Sequence, residues 1–136
     1  MRMLWSVMFA LAACGGSQKA AEPTAPAAPA PAAPAPVSKT AADDAAKLNE
    51  QGKEAMFANQ PDDAEVKFRS ALALDAQPLY AFNLCVAQYT LGKLGEANQA
   101  CKTASAAPDA ALAGKANKML EKIADEAKKQ GITLPP

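Results

Sequence analysis

From residue 40 onward, small and apolar residues recur at intervals of three and four, the spacing that lines one face of a helix. Leu48, Gly52, Ala55 and Met56 mark a first helix, and Ala64, Phe68, Ala71 and Leu72 a second. The breaks fall at Asn59-Gln60-Pro61, Gln77-Pro78, Gly92, Pro108-Asp109 and Gly131, which predicts five helices. Thr40-Ala41-Ala42-Asp43 has the form of a capping box at the start of the first. Pro61, Asp62 and Asp63 suit the first turn of the second, because proline's missing N–H costs nothing there and acids complement the helix dipole. A fourth helix is expected from about Gly95 to Ala106. The fifth carries the stripe Leu112, Ala116, Met119, Leu120, Ile123 and Ala127, opposite Lys118, Glu121, Lys122 and Asp125.

Before residue 40 the pattern vanishes. The eleven prolines fall in residues 23–36, at helix starts or near the C-terminus, so alanine and proline segregate into a helical part and a tether. The run from Gly15 to Lys39 has almost nothing to bury and is expected to stay disordered. Its Ala-Pro alternation favours polyproline II, with a reach of about 75 Å at roughly 3.1 Å per residue. It reads as a spacer, with a PxxP ligand as the alternative.

The first residues, MRMLWSVMFALAAC, have a basic n-region at Arg2 and a short apolar stretch from Leu4 to Leu11. That is too short to span a bilayer and suits a signal peptide over residues 1–13. Leu11-Ala12-Ala13-Cys14 resembles the lipobox of bacterial lipoproteins. The resemblance implies that Cys14 is lipidated, for instance by palmitate, and becomes the mature N-terminus. Several acyl chains, each methylene contributing about 0.8 kcal/mol, would then hold the chain to a membrane. Gly15 follows where an aspartate would signal inner-membrane retention, which favours the outer membrane, facing the periplasm.

Charge removes several function classes. The chain has 14 basic and 14 acidic residues and no histidine. A balanced, scattered charge argues against nucleic-acid binding. Without histidine the commonest general base and metal ligand are missing. No phosphate-binding glycine pattern occurs. Glu50, Glu54, Asp62, Asp63 and Glu65 read as solvated faces, so neither catalysis nor a cofactor or metal is expected.

Shifting the chain by 33 residues lays one helix pair on the next: Gly52 meets Cys85, Asn59 meets Gly92, Ala64 meets Ala97, Phe68 meets Cys101 and Ala71 meets Ala104. Gly52, Ala64, Phe68 and Ala71 in the first unit, and Asn83-Leu84, Leu91-Gly92, Glu96-Ala97 and Ala104 in the second, resemble the tetratricopeptide repeat. Leu48, Ala55 and Gln88 depart from its aromatic positions. The expected fold class is all-α: a short tetratricopeptide-like solenoid of helical hairpins over residues 40–131, with two repeats and the fifth helix as a cap. It follows the lipidated cysteine and disordered linker of residues 14–39 and precedes a disordered tail at 132–136. An irregular helical bundle is the alternative.

Cys85 and Cys101 lie eight residues either side of position 93, so a hairpin folded there puts them level. A signal peptide delivers the chain to an oxidising compartment, and with Cys14 lipidated the other two are an even pair. A Cys85–Cys101 disulfide is expected, and two buried thiols packing as small hydrophobes are the alternative.

In tetratricopeptide proteins the inner face of the first helix of each pair forms a concave peptide groove. The resemblance implies a groove from Asn49, Lys53, Met56 and Phe57 on the first helix and Phe82, Val86 and Tyr89 on the third, suited to a peptide segment. The same stripe could instead be core. The functional expectation is a membrane-anchored adaptor for a protein or peptide partner in the cell envelope. A structural lipoprotein that self-associates, without a separate client, is the alternative.

Overall fold

The computed structural model describes residues 38–136; the expected signal peptide, Cys14 and the expected tether up to residue 37 lie outside them, whereas Ser38 and Lys39, expected at the end of the tether, cap and open the first helix. Five helices follow in order: α1 (Lys39–Phe57), α2 (Pro61–Leu74), α3 (Pro78–Thr90), α4 (Leu94–Ser105) and α5 (Ala110–Gln130). The described residues are all-helical and carry no strand.

Helix ends follow local chemistry, with one departure from expectation. Ser38, not Thr40, caps α1, and its hydroxyl oxygen accepts from the Ala41 amide at 3.2 Å. The earlier start adds a bond from the Ala42 amide to the Ser38 carbonyl, which a cap at Thr40 would forfeit. Prolines open α2 and α3. Asp109 caps α5 by accepting from the Ala111 and Leu112 amides.

The two hairpin turns are built alike. Asn59 (φ 57°) and Gly92 (φ 74°) both take the left-handed conformation that ends a helix. At the first, the Asn59 amide donates to the Met56 carbonyl and the Gln60 amide to Ala55. At the second, Gly92 donates to Tyr89 and Lys93 to Gln88. Positions 33 apart therefore make the same reversal, as the repeat requires.

The helices stack as successive antiparallel hairpins. Each packs on its neighbours in sequence, α1 also touches α3, α3 touches α5, and α1 and α2 make no close backbone approach to α5. The core is a column: Ala45, Ala71 and Tyr80 join α1, α2 and α3, and Ala64, Phe68, Leu84 and Ala87 lie beside them. Ala81, Ala104 and Ala116 join α3, α4 and α5, and Cys85, Leu94, Ala97, Cys101, Ile123 and Ala127 complete the far end. Alanine at the contacts lets helix axes approach closely. Gly52 takes this furthest, because a Cβ there would lie 2.5 Å from Cε1 of the Phe68 ring. At the matching level of the second hairpin the pair is Cys85 and Cys101, bonded as a disulfide with Cα atoms 5.3 Å apart.

The segment after α5 differs from the disordered tail expected of it. Gly131 (φ 68°) ends α5 with the Ile132 amide donating to Ala127 and its own amide to Lys128. The chain then lays Leu134 on the cluster around Cys85 and Ile123. The reason is chemical: Leu134 has apolar surface to bury, and the buried Asn98 side chain offers a donor to the Pro135 carbonyl at 3.1 Å.

Candidate functional site

The hairpin stack sets the inner helices α1 and α3 side by side and leaves a shallow cleft of about 270 Å³ between them. Lys53, Met56 and Phe57 line it from α1, and Phe82, Asn83 and Val86 from α3. Phe68 from α2 also lines it. Five of the seven groove residues expected from the sequence thus come together: Lys53, Met56, Phe57, Phe82 and Val86.

The other two do not line the cleft. Asn49 is buried, and its Oδ1 accepts a 2.7 Å hydrogen bond from Asn83 Nδ2. It bridges α1 to α3, where an unpaired amide would be costly to bury. Tyr89 packs on the cluster around Cys85, Leu94, Cys101 and Ile123, because it lies one turn beyond Cys85 on the same face of α3. Phe82 is shared, since it also packs against the cluster of Ala81, Ala104 and Ala116. The stripe is therefore groove at its α1 side and core at its α5 side.

Phe57 is 90% exposed, the most exposed of the large apolar side chains among the described residues. The last turn of α1 carries it outward with no covering element. Lys53 gives the rim its charge, and its ammonium is held at 2.8 Å by Glu50 on the same helix.

A second polar site was missed by reading the acids as solvated. Glu65 is buried, and its two oxygens take different cations: Arg69 at 2.6 Å on Oε1 and Lys93 at 2.6 Å on Oε2. Gln88 Nε2 donates to Glu65 and to Glu96, and Arg69 also reaches Glu96 at 3.0 Å. Burial alone would raise the Glu65 carboxyl. Hydrogen bonds from Lys93 and Gln88, with the charges of Arg69 and Lys93, outweigh it and hold the group below its ordinary value. The bond to Glu65 holds the Lys93 ammonium above its own. The Gln88 Oε1 is buried without a hydrogen-bond partner, because the amide turns its nitrogen to the two carboxylates and its oxygen away from them. This network fastens α2 to the turn that follows α3. Its sequence signal was faint: Glu65 sits beside Ala64, on the edge of the buried face, where a helical period cannot separate buried from solvated.

Among the described residues, no group of three or more His, Cys, Asp or Glu side chains could hold a metal ion. No described helix is long and apolar enough to cross a membrane. Compared with known proteins, the chain matches no family model, no curated protein and no solved structure.

Proposed function

We propose that this chain is a lipid-anchored adaptor of the cell envelope, tethered through Cys14, whose α1–α3 groove binds an apolar peptide segment of another protein. The carrying observation is the cleft lined by Met56, Phe57, Phe68, Phe82 and Val86, with Phe57 uncovered at its rim. An exposed phenylalanine beside a half-formed apolar cleft is the arrangement that receives the anchor of a partner's helix or extended segment. The Lys53–Glu50 pair at the edge would set orientation and contribute little affinity. The Leu11–Cys14 tetrapeptide and the Ala-Pro tether support the placement at a membrane, with the domain held off its surface.

The test is a photo-crosslinking residue in place of Phe57, in the full chain, in its own cells. A crosslink to a different envelope protein, abolished by adding Val86→Asp while helicity by circular dichroism is retained, is the expected result. Adducts with itself alone would replace the adaptor by a self-associating envelope protein. Adducts that persist with Val86→Asp would move the site out of the groove.

A further inference from the structure

Position 65 and position 98 are 33 apart and occupy the same place on α2 and α4. Both are polar and both are buried, which is uncommon at a helix–helix contact. Each holds the segment that follows the next helix in the stack. Glu65 grips the side chain of Lys93, just beyond the Gly92 turn. Asn98 grips the backbone carbonyl of Pro135, beyond the Gly131 turn. In the first case the segment goes on into α4. In the second it is an extended strap.

The strap's seat is built in some detail. Asn98 is 6% exposed, and its Nδ2 donates to the Pro135 carbonyl at 3.1 Å. Lys102 Nζ reaches the same oxygen at 3.5 Å. Gly95 offers a bare backbone, with the Pro135 ring 3.8 Å from where its Cβ would be. Leu134 packs on the disulfide-centred cluster with Met119 and Leu120. The contacts are a leucine side chain, a proline ring and one main-chain carbonyl. Proline has no N–H, so nothing on that residue is left unpaired as it packs. Ile132, Thr133 and Pro136 stay exposed, so little else holds the segment down.

We propose that the groove between α4 and α5 is a binding site for an extended Leu-Pro peptide, filled in cis by Leu134-Pro135, and that a partner segment of the same chemistry takes it when the strap lifts. The site is separate from the α1–α3 groove and stands without it. The cis strap acts as a built-in competitor, so the site opens only to a ligand that outcompetes an effective concentration on the order of millimolar.

The probe is a fluorescein-labelled Gly-Ile-Thr-Leu-Pro-Pro peptide, followed by anisotropy. It is titrated with the full chain and with the full chain carrying Leu134→Asp, which removes the strap's apolar anchor. Binding at least tenfold tighter to the variant than to the intact chain is expected. Adding Gly95→Trp, whose ring would occupy the proline seat, or Asn98→Asp, to that variant should weaken binding at least tenfold, and Gly95→Trp decides if Asn98→Asp does not fold. A helical Leu134→Asp chain with no saturable binding at millimolar peptide overturns the proposal. So does binding that neither second substitution weakens, because the peptide then sits elsewhere. If Leu134→Asp unfolds, the chain lacking residues 132–136 is measured instead. Peptide binding by that chain supports the site, and its failure to fold or to bind makes the strap plain core.

Discussion

Gly52→Ala adds one methyl group at a helix interior, where alanine is favoured over glycine by about 1 kcal/mol. The tertiary structure reverses the sign. The new Cβ would lie 2.5 Å from Phe68 Cε1, 2.7 Å from Cδ1 and 2.9 Å from Cζ. Carbon atoms pack at roughly 3.5–4.0 Å, so the ring would have to retreat by about 1 Å. Ala64, Leu84 and Ala87 block retreat into the core, where Phe68 is 1% exposed, and a shift toward the α1–α3 cleft would give up those contacts. Overpacking of this kind costs about 1–3 kcal/mol, and with three ring atoms involved the upper part of that range applies. The net expectation is a loss of about 1–2 kcal/mol, or roughly 5–15 °C in Tm for a domain of this size.

Gly114→Ala is the control. It lies inside α5 with nothing within 4 Å of its Cβ, so it should gain about 0.5–1 kcal/mol from backbone entropy alone. Both variants are measured by thermal and urea unfolding at 222 nm with the disulfide intact. Combining Gly52→Ala with Phe68→Leu closes the cycle: the smaller side chain makes room, so the double variant should be at least about 1 kcal/mol more stable than the sum of the singles. If Gly52→Ala stabilises as much as Gly114→Ala, the close approach of α1 to the Phe68 ring is refuted, and with it the packing beneath the groove.

Reducing the Cys85–Cys101 bond, whose partners are 16 residues apart, should cost about 3 kcal/mol, read as a lower Tm in dithiothreitol that a Cys85→Ala/Cys101→Ala variant does not show. Glu65 sits below its ordinary value of 4.5, so the stability it contributes is fully present above pH 4.5 and is lost as pH falls through its folded value. Glu65→Gln should therefore lower stability at pH 7 and flatten its decline on acidification, and an unchanged acid limb in urea titrations would exclude the network as its source. Gly92→Ala should destabilise by about 1–2 kcal/mol, because φ is 74° there, whereas Asn59→Gly at the matching turn should stabilise by up to about 1 kcal/mol, both read from urea midpoints.

Much of the fold is legible in the sequence. Helix periodicity, the proline and glycine breaks and the 33-residue repeat are local or quasi-local signals, and a hairpin repeats its own geometry. Folding about residue 93 was enough to bring Cys85 level with Cys101, because two antiparallel helices rise at the same rate from a shared turn. Five groove residues were also legible, since they share one face of α1 or α3. The sequence alone left three matters undecided, and each depends on a contact between distant elements. Asn49 and Tyr89 share the groove's period but are claimed by Asn83 and by the α4–α5 cluster. Glu65 looks like any solvated helix acid until α3 and its turn bring Gln88 and Lys93 to it. The strap has no periodicity at all, and only the buried Asn98 on α4 gives it a place. Periodicity specifies which face a residue occupies; the partner that covers that face is decided by tertiary packing, through hydrogen bonds and burial spread over tens of residues of chain.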